Sequence, residues 1–165
     1  MTTQTAEIGG SDLDSLATKP DIRKRLAFKL QALIKDVGNE EFAMGEITSL
    51  RINQIGGLKK LVILLESDEP MLGYYTQATG AGKTILFCII ARLLDEPTII
   101  FVPRIDLIDQ ARDALLRIGF SAGDVGVMGG GEHSIGKKVV VSTYQSHIFH
   151  SQGNRPYRDF LNSVR

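Results

Sequence analysis

The sequence predicts an α/β domain built around a mainly parallel sheet, and three observations lead there. A glycine loop, Ala78-Thr79-Gly80-Ala81-Gly82-Lys83-Thr84, runs directly into an apolar helical stretch. Two short, continuously apolar runs, Thr98-Ile99-Ile100-Phe101-Val102 and Val139-Val140-Val141-Ser142, read as strands covered on both faces. Helical periodicity fills the chain between them, and strands alternating with helices are the pattern of crossover units.

The elements follow in order. Residues 1–17 are polar, contain Gly9-Gly10-Ser11, and read as a disordered leader. Residues 18–48 form an N-terminal helical extension, and 49–165 the α/β region. Pro20 suits a first helical position. Ile22, Leu26, Leu30, Leu33 and Ile34 recur at helical spacing, and Gly38 closes that helix. Its other face carries Arg23, Lys24, Arg25, Lys29 and Lys35, either a solvated face or a stripe for nucleic-acid phosphates. A second helix runs from about Gln54 to Leu65, and Glu66 to Pro70 make a turn. Met71 to Thr76 form a short buried strand leading to the loop, and Ile85 to Leu94 a largely buried helix. After strand 98–102, Ile105, Leu107, Ile108, Ala111, Leu115 and Ile118 mark a helix that Gly119 ends. Val125 to Met128 is a short strand, Gly129-Gly130-Gly131 a turn or flexible loop, and Lys137-Lys138 lead into the strand at Val139. Arg155 to Arg165 is helical. With right-handed crossovers, a ligand belongs at the C-terminal ends of the strands, beside residues 77–84.

Composition bounds the function. A chain of 165 residues with 43% apolar residues suits one domain with a real core. Nineteen basic and nineteen acidic residues cancel, so total charge argues neither for nor against nucleic acid. Cys88 lies inside an apolar helix and reads as a small core residue, not a nucleophile. The apolar run from Ile85 to Leu94 is too short to cross a bilayer and contains Arg92. No membrane partner is expected. The first residues lack the basic-then-apolar order of a signal peptide, so a cytoplasmic protein is expected.

The glycine loop carries the most specific chemistry. Glycines let successive amides turn inward around an anion, and the following helix offers the positive end of its dipole. Lys83 would reach the terminal phosphates of a nucleotide, and the Thr84 hydroxyl would ligate Mg²⁺. Gln77 stands where the general pattern has glycine, leaving Gly80 and Gly82 to carry the turn. An ordinary glycine-rich turn is the plainer alternative.

Three further segments resemble a family. Pro103-Arg104-Ile105-Asp106-Leu107-Ile108-Asp109-Gln110 resembles motif Ia of superfamily 2 helicases. Val139 to Ser146, ending in Thr143-Tyr144-Gln145-Ser146, resembles a second segment of that group, and Leu50-Arg51-Ile52-Asn53-Gln54 resembles its upstream glutamine element. The loop itself is similar to motif I. Val125 to Gly131 is most like the XPB-like and restriction-enzyme-subunit branch. The resemblance implies a P-loop NTPase fold: the first RecA-like lobe, a three-layer sandwich with a mainly parallel sheet, with the helix of 18–48 added. It implies ATP and Mg²⁺ as cofactors, held by Thr79, Gly80, Ala81, Gly82, Lys83 and Thr84, with Gln54 at the adenine edge, where an amide can both donate and accept. It implies nucleic acid as partner, DNA in preference to RNA, touched by Arg104, Thr143 and Gln145. The plainer readings are a surface arginine for Arg104, a strand-end cap for Thr143 and Gln145, and an exposed helix-start glutamine for Gln54; Tyr144 is equally a core residue.

The family's acidic motif, Asp-Glu at the end of an apolar strand, is not in this sequence. Asp95-Glu96 ends a helix and Asp68-Glu69 precedes the loop. The lobe therefore reads as incomplete, with no catalytic residue of its own, and the remainder of a helicase core as an expected partner. A parallel sheet cut short would leave an open edge, so self-association is expected. The alternative is a non-catalytic nucleotide- or nucleic-acid-binding regulatory module. A small-molecule kinase would need a clustered arginine lid, whereas Arg104, Arg112 and Arg117 are scattered. A GTPase reading of Thr18-Lys19-Pro20-Asp21 fails because that segment precedes the loop and opens a helix.

Overall fold

The computed structural model describes residues 20–67, 75–76, 78–153 and 159. The leader 1–17, the strand expected at 71–76 (apart from Tyr75 and Thr76, which are in no regular element), Gln77 and all but Asp159 of the helix expected at 155–165 lie outside them.

Among the described residues, five helices and four strands follow in the order α1 Pro20–Asp36, α2 Ile52–Glu66, α3 Lys83–Leu94, β1 Thr98–Val102, α4 Asp106–Arg117, β2 Val125–Gly129, β3 Glu132–His133, β4 Val139–Thr143 and α5 Tyr144–Gly153. The sheet order is β1-β4-β2-β3. β4 lies between β1 and β2 and runs parallel to both, with Val102 opposite Thr143 and Val127 opposite Val141. This is the mixed α/β, mostly parallel architecture of a RecA-like lobe. Every residue of β2 and β4 is buried, as parallel strands require, whereas β1 is mostly half-exposed.

The pleat sorts the side chains. Val125, Val127, Val139, Val141 and Val102 pack with Leu86, Ile89, Ile108, Ala111 and Leu115 of α3 and α4 in the main core. The other face gathers Met128 and Val140, with Ile99 and Ile135 against them. A Cβ on Gly126 would collide with the Ser134 carbonyl, so the strap after β3 crosses this face at contact distance.

Ends are set by local chemistry. α4 closes in a Schellman arrangement: Gly119 (φ +100°) donates to Leu116 O at 2.9 Å and Phe120 to Leu115 O at 3.1 Å. Gly129 pairs with Glu132 across a two-residue loop, Gly130-Gly131, with φ +63° and +88°. Positive φ at both loop residues is the requirement of a type I′ hairpin. The glycine triplet is thus a tight turn, and β3 is a short antiparallel strand absent from the sequence-based expectation.

α1 buries Leu26, Ala27, Leu30 and Leu33 in the same core as the sheet. Its basic face closes other helices. Arg23 donates to Leu64 O at 3.1 Å and Ser67 O at 2.6 Å, at the end of α2, and Lys29 to Leu93 O at 2.9 Å, at the end of α3. Arg25 pairs with Glu96 at 2.6 Å. Last-turn carbonyls have no partner within their own helix, and these cations supply one.

Candidate functional site

The loop before α3 is shaped by two left-handed glycines, Gly80 at φ +78° and Gly82 at φ +87°. A side chain at either position would strain the backbone. Gly82 is the residue from which α3 starts, so the helix opens on Lys83 directly after the second glycine. Ala81 N–H donates to Ala78 O at 3.2 Å and tightens the loop. Lys83 Nζ donates to the same carbonyl at 3.1 Å, lying back along its own loop. Among the described residues, the amides of Gly80, Gly82 and Thr84 donate to no main-chain carbonyl. An ideal Cβ on Gly80 would meet nothing within 4 Å among the described residues, so none of them covers that side of the loop.

A cavity of about 670 Å³ lies against the loop, lined by Thr79, Gly80, Gly82, Lys83 and Thr84 together with Gln110, Asp113 and Arg117 of α4. That volume is in the range of small-molecule sites. Lys83 and Arg117 against Asp113 leave its charged lining net positive.

The first turn of α2 is fastened to this loop. Arg51 N–H donates to Gln54 Oε1 at 2.8 Å, Gln54 Nε2 donates to Gly82 O at 3.2 Å, and Arg51 Nη1 donates to Gly80 O at 2.8 Å. Gln54 is 5% exposed, so both ends of its carboxamide serve the protein here. The turn is braced from behind by Tyr75, whose hydroxyl donates to Asn53 O at 3.3 Å and lies 2.6 Å from where a Cβ of Gly57 would stand. Sequence reasoning gave Arg51 no role; its one signal was its place in the Leu50–Gln54 element.

The three residues expected at nucleic acid share one end of the sheet. Val102 and Thr143 are paired, so Arg104 follows β1 and Gln145 follows β4 at neighbouring strand ends. Arg104 is exposed and grips Asp106 with two bonds of 2.9 Å. Thr143 is buried; its hydroxyl accepts from Ser146 N–H at 3.2 Å and bonds the Ser146 hydroxyl at 2.9 Å, which caps α5. Gln145 is exposed. Beside them Tyr144 stacks on Phe101, with ring centroids 5.6 Å apart, and His147 meets Phe101 edge-on at 4.7 Å. Tyr144 is 52% exposed, so it is a surface residue.

Cys88 is buried under α4, and burial pushes its thiol up to about 12, out of the nucleophilic range. No three metal-ligating side chains gather among the described residues, and none of their helices is long and apolar enough to cross a membrane.

A family profile described as type III restriction enzyme, res subunit, matches residues 47–160. The chain belongs to this family. The matched span runs from just before α2 to beyond α5, so the glycine loop, its α2 strut and the strand-end residues all fall inside the res-subunit region, and α1 precedes it. A DNA 3'-5' translocase XPB2 from Sulfurisphaera tokodaii is 39% identical over 74 residues. That stretch is 45% of this chain and 16% of the translocase. The chain therefore spans about a sixth of that relative's length. Family and relative agree with the motif resemblance to part of the first lobe of superfamily 2 helicases and translocases.

Proposed function

We propose that residues 78–84 bind the triphosphate of ATP with Mg²⁺, and that the chain is the nucleotide-holding part of a DNA helicase or translocase. The observation that carries the reading is the loop: two left-handed glycines, amides of Gly80, Gly82 and Thr84 with no main-chain acceptor among the described residues, and a helix opening on Lys83 beside an open cavity. The loop and helix-start amides, whose partial charges are the positive end of the helix dipole, and the Lys83 ammonium group attract an anion in one place. Lys83 would leave Ala78 O for the terminal phosphates, and the half-buried Thr84 hydroxyl, one turn-start further on, would take the metal. Bound Mg²⁺ would neutralise phosphate charge.

The test is thermal melting with Mg-ATP. A ligand at a hundredfold excess over its Kd stabilises by about 2.7 kcal/mol, and the shift should vanish in Lys83→Ala. No shift in the parent chain, or an equal shift in the variant, refutes the reading.

The same reading limits the chemistry. The sequence holds no apolar strand ending in Asp-Glu, and an arginine finger from outside is worth about 10³–10⁵ in rate. These residues alone should release phosphate well below about 1 s⁻¹, the low end of enzymatic turnover. The second reading is a regulatory module that binds nucleotide or nucleic acid without turning it over. Supplying the remaining helicase core separates the two: a lobe regains DNA-stimulated hydrolysis, a regulatory module does not.

For nucleic acid, DNA before RNA, Arg104 and Gln145 are the contact residues at the strand ends. Thr143 acts through the α5 start that it caps. The charge-assisted grip on Asp106 holds the Arg104 guanidinium at that end. Arg104→Ala should weaken DNA binding by fluorescence anisotropy and flatten its salt dependence by about one unit of slope. An unchanged slope would remove Arg104 from the interface. Self-association and a cytoplasmic setting complete the reading.

A further inference from the structure

α1 and the chain that follows it enclose a second cavity, of about 970 Å³. One wall is a row on α1: Phe28, Ala32 and Asp36, four residues apart, stand above one another on the helix surface. The other wall is the strap from Gly38 to Met44. Between them Leu33, Phe42 and Leu93 supply apolar surface that is continuous with the main core. The strap is tied down. Asn39 N–H donates to Asp36 O at 2.8 Å, Phe42 N–H to Asn39 O at 3.1 Å and Met44 N–H to Ile47 O at 2.9 Å. The groove is therefore shaped before anything fills it, which lowers the ordering cost of binding.

Two features of the lining do nothing for α1 itself. Phe28 is 73% exposed, an aromatic ring left in water at the edge of an apolar surface. Asp36 ends α1, and Glu40 and Glu41 follow it, at the helix end where the dipole is negative and carboxylates are disfavoured. Among the described residues these three carboxylates make no ion pair. Lys29 also lines the cavity, but its ammonium group is held by Leu93 O at 2.9 Å. The groove is thus apolar toward Phe28 and negative toward Asp36, positions about 12 Å apart along the helix axis.

We propose that this groove docks a basic amphipathic peptide segment of a partner protein, with apolar side chains against Phe28 and Leu33 and a lysine or arginine among Asp36, Glu40 and Glu41. Charge complementarity selects that occupant. Nucleic acid would bring phosphates to three carboxylates. The chain's own residues 1–17 carry Glu7, Asp12 and Asp14 with no lysine or arginine, so they have the wrong sign as well. A span of about 12 Å is two turns of a helical ligand, the length over which a helix lays successive anchors into a groove. α1 and the strap to Met44 precede the matched residues 47–160, so the proposal stands apart from the glycine loop and its nucleotide.

The experiment uses the full chain and a synthetic helical peptide with leucine on one face and lysine on the other. Fluorescence anisotropy measures binding, and amide hydrogen exchange maps it. The peptide should bind, protect residues 28–44, and weaken as salt rises, because screening acts on the charged end. Glutamate in place of its lysines should abolish binding. Ala32→Leu fills the groove from an exposed helical position, and leucine is nearly as good a helix former. Glu40→Lys combined with Glu41→Lys reverses the acidic end. Each of these two variants should weaken binding about tenfold or more, the scale of losing a main interface contact. All three positions are exposed, so the melting temperature should hold in both variants. No binding at about 1 mM peptide, the weak end of specific affinity, overturns the proposal. So does protection elsewhere, or unchanged affinity in either variant. Equal binding of polylysine overturns it too, since that would be charge without a groove. If the peptide binds only after residues 1–17 are deleted, those residues fill the groove. If Phe28→Ser turns a self-associating chain monomeric in sedimentation, a second copy fills it. Either outcome overturns a separate partner.

Discussion

Gly126 shows how a single missing side chain can set a layer distance. Both of its strand neighbours are buried valines, so an alanine looks harmless by type. The Ser134 carbonyl, however, occupies the space a Cβ needs. Gly126→Ala should destabilise the chain by about 1–3 kcal/mol, the usual cost of overpacking, measured by urea unfolding; a loss below about 0.5 kcal/mol, the surface-substitution range, would mean the strap moves freely. Cys88 gives the opposite case. Its burial in the apolar stretch was legible from pattern alone, and with a thiol pushed up to about 12 it holds almost no thiolate near neutrality. It should resist a disulfide reagent at pH 8 in the folded chain and react once in denaturant; fast reaction without denaturant would contradict the packing. The left-handed conformations at Gly80 and Gly82 were legible too, because a loop wrapping an anion needs them. The engagement of Gln54 was not. Its partners are a carbonyl far along the chain and the amide of the preceding cap residue, and neither is implied by a glutamine in a helical pattern.

At the scale of the element, helices with one apolar stripe announced themselves and the others did not. α1, α2, α3 and α4 each bury residues at helical spacing, and their bounds fall within a residue or two of those expected. α5 was missed because it has no such stripe: Tyr144, Ile148 and Phe149 are all exposed, and its start is announced only by Thr143, which is also the last buried residue of a strand. The β2–β3 hairpin was missed because β3 is two residues long and polar, too short for alternation to register. α1 was found, but the task of its basic face was not. Charge opposite an apolar stripe looks the same whether it meets water, phosphate or helix ends. The structure gives three of the five cations to protein carbonyls and a carboxylate. Arg23→Met, which keeps the stem and removes the guanidinium, should therefore cost about 1.5–3 kcal/mol, the range for hydrogen bonds to charged groups, in unfolding free energy. DNA affinity should not change. A loss of DNA binding with stability intact would return that face to the phosphate reading.

For the whole molecule the open question is the edge of the sheet. β4 is flanked on both sides and β2 is closed by the hairpin, but β1 has β4 on one side and no other described strand on the other. The difference is visible in burial: Val139–Thr143 is buried throughout, whereas Phe101 of β1 is 36% exposed. An apolar parallel strand left at an edge offers a row of main-chain donors and acceptors with no charge to turn a partner away. Thr98-Ile99-Ile100-Phe101-Val102 has no charged residue, and its aromatic neighbours Tyr144 and His147 extend the same sticky surface. The chain should therefore associate with itself as concentration rises from about 1 to 100 µM, the regime in which exposed edges drive assembly, and sedimentation velocity would follow it. Phe101→Lys places a charge on that edge without touching the glycine loop. It should shift the distribution to monomer while leaving the Mg-ATP melting shift in place. If the parent chain sediments as a monomer across that range, the edge is covered by residues other than those described, and the argument for association is lost. If Phe101→Lys abolishes the nucleotide effect as well, the edge strand and the loop are one cooperative unit and cannot be assigned separate tasks.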